Sequence, residues 1–574
     1  MIAHLKGGAT LSYQPVPSRA AVSPFDQLFT NLDYHGGPVM PSNTNYTVYW
    51  SPSGAGAYPS DYKPELDQYF MDLEHDNSGT ENVDSVAAQY NDASGQYASY
   101  DSHFAGAILD TDPYPASGCF QAEKCFTDAQ IRNEAKKFVE SHGLPHDLTH
   151  EYYLLTPPGV EFCFEASGVE CSAGSSSPRY CAYHSDVHIA GGVILYTNQP
   201  YTPGTVCDHW EHPNGTTADV AIASSLTHEH IESITDPEPN NAWTDFATGG
   251  TTGYEIGDKC NKNLGPALGK ASNGAPYNQV INGHKYLYQQ EWSNQGHQCV
   301  QRQTFSGEHP SASFTSTAVA GNEMSFDASA STAPGGVAKY NWDFGGREVE
   351  TASPTITHEF LTGDVYEVAL TVYAADGTSG GTAQEVGVGS VPAPAITKIT
   401  PKKGPNSGGT LVTISGSSLT SVTAVTFGTV AASGFYAESV RKGRNSSYVI
   451  NVPAPAGAAG TADVRVTRSF GGTSAITTKD RFKYANPTVT SVSPSSGPTA
   501  GGTTVTVNGT GFSSGAGTTL LFGKTPGTSV NCSSLTECTV ISPAATEAGA
   551  VDVIAAVGKA KSKKSPPGDL FTYN

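Results

Sequence analysis

A chain of 574 residues exceeds what one hydrophobic core organises, so three to five domains are expected. Only 15% of residues are charged and 37% apolar, while 62 glycines and 37 prolines mark many turns, which excludes a coiled coil and a charged disordered chain. From residue 391 the chain carries 16 Lys and Arg against 7 Asp and Glu, or +9, which leaves −31 of the net −22 for residues 1–390; that front portion repels nucleic acid and anionic membranes and attracts divalent cations.

The start, "MIAHLKGGATLSYQP", has no signal-peptide apolar core, so residues 1–29 are read as an N-terminal extension whose signal was removed or is replaced by another export route. No apolar run of 18 residues occurs, so no membrane-spanning helix is expected. The pattern predicts strands at 45–50, 150–156 and 191–197 and a helix at 62–73. A second helix is marked more sharply: Thr127 with Gln130 makes a capping box, Ile131, Ala135, Phe138 and Val139 share a face, and Gly143 then Pro145 end it. A third runs from Thr216 or Thr217 to Pro237, with Val220, Ala223, Thr227, Ile231 and Ile234 at helical spacing. Strands interleaved with helices predict an α/β or α+β head over 30–302.

The ten cysteines fall as sequence neighbours: Cys119 and Cys125, Cys163 and Cys171, Cys181 and Cys207, Cys260 and Cys299, Cys532 and Cys538. No CxxC pair occurs. An even count in short loops predicts disulfides in a secreted protein without fixing their pairing.

The third helix carries "LTHEHIESITDP", in which His228-Glu229-x-x-Glu232 places His228 and Glu232 one turn apart on one face, able to point at one cation. Glu229 stands next round the helix, where it reaches a water on that cation as general base. His230 falls on the other side. The pattern resembles the HExxH motif of zinc peptidases with Glu232 in place of the second histidine. By likeness to their gluzincin type, "GYEIGDKC" supplies the third ligand: Glu255 with Asp258 orienting a ligand, or the reverse. His184 and His188 of "YCAYHSDVHIAGG" are spare candidates, although ordinary hydrogen-bonded roles suit them too. Trp243, Trp292 and Trp342 read as core. The acidic run 72–82 is a weak candidate for Ca2+.

Several segments together, "YHGGPVM" (34–40), "YCAYH" (180–184), the His-Glu-x-x-Glu helix, "NNAW" (240–243), "YEIGDKC" (254–260) and "NGHKYLYQQEW" (282–292), resemble the phosphate-induced/EXORDIUM family of secreted proteins. The resemblance implies an extracellular protein in which the His-Glu-x-x-Glu and Glu-Ile-Gly-Asp elements go together; it implies no settled chemistry.

Beyond about residue 303 the texture changes to Thr, Ser, Val and Gly. Residues 308–390 predict a β-sandwich whose Tyr340-Asn-Trp-Asp-Phe-Gly345 resembles the core of PKD repeats, with Gly346 in place of the usual second Asp. An internal repeat follows: 396–428 matches 489–523, and the copies end in Phe482-Lys-Tyr484 and Phe571-Thr-Tyr573. Over 391–485 and 486–574 the pattern resembles IPT/TIG immunoglobulin-like domains, with a Gly-Pro-x-x-Gly-Gly turn that needs glycine backbone angles.

The reading is therefore a multidomain chain with a zincin-like head and three immunoglobulin-like sandwiches. Its expected function is that of a secreted zinc-dependent hydrolase, a metallopeptidase cutting extracellular protein or peptide with Zn2+-activated water. In that reading the strand at 191–197 is the edge that receives an extended peptide, and the β domains act as spacers or bind a wall polymer or carbohydrate. The rivals are a non-catalytic adhesion or polysaccharide-binding protein with a metal-stabilised head, and a metal-free signalling module.

Overall fold

Alternation along the strands of the front portion puts apolar side chains on both faces, as in a sheet covered on each side. In the computed structural model Val48 and Trp50 face one core while Tyr49 faces another; Tyr152 and Leu154 part likewise from Tyr153 and Leu155. The structure describes residues 1–5, 9–15, 30–76, 82–99, 101–176, 178–208, 212–249, 253–303, 308–442, 445–513 and 517–574. The chain divides into two compact units, residues 1–390 and residues 391–440 with 445–574.

The first unit is organised by a ten-stranded mixed sheet. Its elements in chain order are β1 (Ile2–His4), β2 (Thr10–Pro15), the short β3 (Asp33–Tyr34, outside this sheet), β4 (Asn43–Trp50), α1 (Tyr62–His75), β5 (Ser102–Asp110), β6 (Lys124–Thr127), α2 (Asp128–His142), β7 (His150–Leu155), β8 (Val160–Cys163), β9 (Cys171–Ser172), β10 (Pro178–Ile189) and β11 (Gly192–Gln199). The order across the sheet is β5-β4-β7-β11-β10-β9-β8-β6, with β2 added on β10 and β1 on β2. The β4–β5, β4–β7 and β7–β11 pairs are parallel, and β10 turns back antiparallel to β11. The expectation that 191–197 is an open edge is corrected here: β11 is interior, because the parallel β7 and the antiparallel β10 take both its sides.

Helix α2 follows the sequence closely. Thr127 and Gln130 form the capping box and Gly143, at φ 62°, closes the C-terminus. Its Ile131, Ala135, Phe138 and Val139 pack with Val48, Trp50, Tyr152 and Leu154. On the other face α1 lays Tyr62, Leu66, Tyr69, Phe70 and Leu73 into the larger core. The long helix expected to begin at residue 216 or 217 is interrupted: α3 (Ala218–Ala221) passes through a π-helical turn, Ile222–Leu226, into α4 (Thr227–Thr235). Thr227 Oγ1 donates to the Ile222 carbonyl across this wider turn at 3.0 Å, and Ser225 bonds Gln199 of β11. The head is thus a mixed sheet with few helices, a coarser arrangement than the zincin-like one expected.

All five neighbouring pairs of cysteines are bridged: Cys119–Cys125, Cys163–Cys171, Cys181–Cys207, Cys260–Cys299 and Cys532–Cys538. Trp243, Trp292 and Trp342 are core residues, as read. Of the acidic run 72–82, residues 77–81 lie outside the described residues, and Asp72 is bonded by Gln68, Asn282, His284 and Tyr286.

The next domain is a sandwich of three- and four-stranded sheets around Trp342, Phe326, Phe344, Val368 and Leu370. Within the first unit it packs on the head and does not act as a free spacer. Tyr34 N donates to Thr371 Oγ1 at 2.8 Å, Asn294 Nδ2 to Ser379 Oγ at 3.0 Å, and Asn91 exchanges two bonds with the Gly381 backbone. A Cβ at Gly381 would stand 2.5 Å from Cγ of Tyr34, so only glycine admits this approach.

In the second unit the two repeats share their supports. Gly408 and Gly409, like Gly501 and Gly502, have φ between 77° and 84°, backbone that other residues adopt at a cost. Phe482 lies 5.3 Å from Phe427 as Phe571 lies 5.0 Å from Phe522. Tyr484 and Tyr573 each donate to a proline carbonyl, Pro455 and Pro543, at 2.8 Å.

Candidate functional site

Helix α4 sits under β10 and β2, and its Thr227–Thr235 are buried on every side. Burying two histidines and two glutamates leaves a polar wall that must find partners inside the protein. Facing it is the loop of Glu255 to Asp258, tied by the Cys260–Cys299 bridge. The loop approaches so closely that a Cβ on Gly257 would lie 2.9 Å from His228 Nδ1 and 3.0 Å from Glu232 Oε1. Glycine is what lets Glu255 and Asp258 face the helix.

His228 Nε2 lies 3.1 Å from Glu232 Oε1 and 3.7 Å from Asp258 Oδ1. Neither ring nitrogen of His228 makes a hydrogen bond, and Glu255 Oε1 and Asp258 Oδ1 also have no hydrogen-bond donor. Glu232 is fixed from outside: Asp258 N donates to Oε1 at 3.0 Å and Ser12 Oγ to Oε2 at 3.2 Å. Ser12 also bonds Glu255 Oε2, and the Met1 nitrogen lies against Asp258 Oδ2. Donor atoms of His228, Glu229 and Glu232 lie within 4.8 Å of one another, as do those of His184, Glu232 and Glu255.

The charges in this buried space set each other. Burial opposes the His228 imidazolium, yet Glu232, then Glu229 and Asp258, raise its pKa to about 10. Burial likewise opposes ionised Glu232, but the charge of His228 beside it holds it below the usual carboxylate range. Burial, then the charges of Glu232 and Asp236, push Glu255 well up, and Asp258 rises to about 6, chiefly through burial. The imidazolium of His228 and the Met1 ammonium are the positive groups these buried carboxylates face. One imidazole and several carboxylates with orphaned donor atoms suit a divalent metal.

Glu229 belongs to the same cluster, but both its oxygens are engaged. Its Oε1 accepts Gln14 N at 2.9 Å; its Oε2 accepts His184 N at 3.1 Å and lies 3.0 Å from His184 Nδ1. Both oxygens are engaged in tying α4 to β2 and β10. His184 completes the tie through Nε2, 3.2 Å from the Asp236 carbonyl. Burial opposes its protonated form, but the bond to Glu229 raises its pKa.

The structure brings His228, Glu229, Glu232, Glu255, Asp258 and His184 together. His188 is corrected: it stands exposed four residues further along β10, near Asp186 and Glu238 at 3.4 Å, because its part of the strand runs past the helix. His230 lies on the far side of α4, with Nδ1 2.7 Å from Tyr153 Oη and Nε2 3.3 Å from Asp84 Oδ2. Sequence reasoning missed Ser12 and Gln14, whose role depends on the pairing of β2 with β10, in which Ser12 stands opposite His184.

Comparison with known proteins bears on the C-terminal domains. Residues 308–388 match the PKD domain. Residues 394–484 and 487–573 each match the IPT/TIG domain. Human Plexin-B3 is 34% identical over 146 residues, 24% of this chain and 7% of that protein. The solved extracellular region of plexin A4 (domains 1 to 8) is 14% identical, covering 53% of this chain and 40% of its own, at a TM-score of 0.19. The Bacteroides ovatus protein SGBP-B, solved with a mixed-linkage heptasaccharide, is 16% identical over 47% of this chain and 71% of its own, at a TM-score of 0.16. The chain thus spans well under two thirds of Plexin-B3 and of the plexin A4 region. PKD and IPT/TIG domains with five disulfides are consistent with a secreted or extracellular protein. Among the described residues no helix is long and apolar enough to cross a membrane.

Proposed function

We propose that this is an extracellular binding or adhesion protein whose head is stabilised by a buried divalent metal and whose β domains engage a large partner such as a wall polymer, carbohydrate or protein. His228, Glu232 and Asp258, with Glu255 beside them, would hold the ion. The observation that carries the reading is the placement of Glu229. A general base needs a carboxylate oxygen free to take a proton from water, and both oxygens of Glu229 already bind backbone and imidazole of β2 and β10. The orphaned donors of His228, Glu255 and Asp258 meanwhile favour an ion that holds helix and loop together. The segments behind the phosphate-induced/EXORDIUM resemblance support treating the site as one unit, since Gly37 of the first bonds Asn241 of the fourth and His184 of the second bonds Glu229.

Elemental analysis and thermal melting test this. One equivalent of metal whose removal lowers the melting temperature, with no cleavage of a denatured protein mixture, supports the reading. Metal-free protein with an unchanged melting curve under chelator removes it.

The second reading, a zinc-dependent hydrolase acting on protein or peptide, has one observation in its favour: the bond that occupies Glu229 Oε1 comes from Gln14 of the N-terminal strand. With β2 lifted, that oxygen is released toward the metal space. A zinc there would supply Lewis acidity, while Glu229 would take the proton from water and pass it to the leaving amine. Cleavage by wild type that Glu229→Gln abolishes would establish this reading over the first.

A further inference from the structure

The N-terminal hairpin lies off the main path of the head's sheet. The path β5-β4-β7-β11-β10-β9-β8-β6 runs without β1 or β2; among the described residues β1 pairs with β2 alone, and β2 joins the sheet through β10. The first cysteine is Cys119, so no disulfide holds the hairpin, whereas four bridges pin the rest of the head. Among the described residues its apolar anchors are Leu5, Ala9 and Leu11 in the smaller core, with Ala3 and Tyr13 beside them.

What β2 does on β10 is specific. It runs antiparallel, with Ser185 opposite Leu11, His184 opposite Ser12 and Tyr183 opposite Tyr13, and an irregularity before Tyr180 opposite Pro15. Ser185 Oγ donates to the Thr10 carbonyl at 2.6 Å. Leu11 is fully buried, and the Ser12 hydroxyl bonds both Glu232 and Glu255. Two residues on, the Gln14 N–H donates to Glu229. Backbone pairing with a pocket for alternate side chains is how a sheet edge receives an extended peptide.

We propose that the β10 edge at Tyr183–Ser185 is a binding site for an extended polypeptide strand and that residues 10–15 fill it in cis. The site reads an apolar residue at the Leu11 position and a small hydroxyl residue at the Ser12 position, where the fully buried space admits no larger side chain. At the Gln14 position it reads a residue with an N–H, which excludes proline. The external partner is a protein segment of that pattern, competing with the chain's own strand. This rests on the binding reading of the head and names its partner class.

The test uses the full chain nicked at a site-specific protease sequence inserted between Ala20 and Ala21, then mixed with excess labelled peptide corresponding to residues 9–15. Expected is saturable uptake of label with matching release of the N-terminal fragment, at least tenfold weaker for the peptide carrying Gln14→Pro or Ser12→Trp. A nicked protein that keeps its fold and its fragment under peptide excess and takes no label overturns the inference. Loss of fold on release of the fragment overturns it equally, since the hairpin is then part of the core. Uptake indifferent to both substitutions overturns it too. Metal content measured in the same samples separates the claims: exchange without metal leaves the peptide site standing and removes the metal reading, and metal without exchange does the reverse.

Discussion

His35 Nδ1 lies 2.8 Å from Asp343 Oδ2, joining the head to the Trp-Asp-Phe-Gly strand of the PKD domain inside one compact unit. Both side chains are largely buried, and the Thr244 carbonyl lies 3.1 Å from the other imidazole nitrogen. Burial alone would lower the His35 pKa, but the bond and charge of Asp343 raise it to about 9; Asp343 in turn is held below its usual range by His35 against the effect of burial.

The sign of the pH dependence follows. Stabilisation by His35 is fully present below its ordinary value of 6.5 and is lost as pH rises through about 9. Asp343 contributes above its ordinary 3.8, and that contribution is lost as pH falls. Glu348, raised to about 7 mainly by burial and then by Asp33, runs the other way and costs stability as pH climbs from 4.5 through 7. His35→Gln is expected to lower the stability of the first unit by about 3 kcal/mol near pH 6, with the deficit vanishing above pH ~9. Urea unfolding of both proteins across that range checks it; a deficit constant with pH refutes it.

Gly257→Ala places a methyl group 2.9 Å from His228 Nδ1 and 3.0 Å from Glu232 Oε1, so both side chains must shift. The expected outcome is a loss of about 1–3 kcal/mol from overpacking together with at least tenfold weaker metal retention. Calorimetry and elemental analysis read the two effects. Full metal content in a folded Gly257→Ala protein would contradict the geometry described.

Glu232→Ala is expected to lose the metal, whereas His230→Ala keeps it, because His230 binds Tyr153 and Asp84 on the opposite face. Free metal at a hundredfold excess over its dissociation constant should stabilise wild type by about 2.7 kcal/mol. A melting shift with added metal, absent in Glu232→Ala, is the measurement.

The Cys260–Cys299 bridge closes a loop of 39 residues and holds the Glu255–Asp258 segment against α4. Replacing both cysteines by serine is expected to cost about 3–4 kcal/mol on the chain-entropy account and to speed metal loss to a chelator. An unchanged release rate would show that the loop is held by Gly257 and Asp258 alone.

Much was legible in the chain because it is local. The Thr127–Gln130 cap, the Gly143 stop and the paired Phe-x-Tyr endings of the IPT/TIG repeats depend on residues a few positions apart. The convergence of His228 and Glu232 also follows from one helical turn. The π turn before α4 was hidden, since an apolar periodicity of 3.6 tolerates one extra residue without announcing it.

What the sequence by itself determined is the inventory: where α2 begins and ends, which domains follow the head, and which donor groups share a helix face. Only the tertiary structure decided that β11 is interior, that His188 is at the surface, and that Glu229 is spent on binding β2 and β10. β11 takes its second side from β7, with Glu151 opposite Leu195, and Glu229 is held by Gln14 from the far end of the chain; no local spacing encodes either partner.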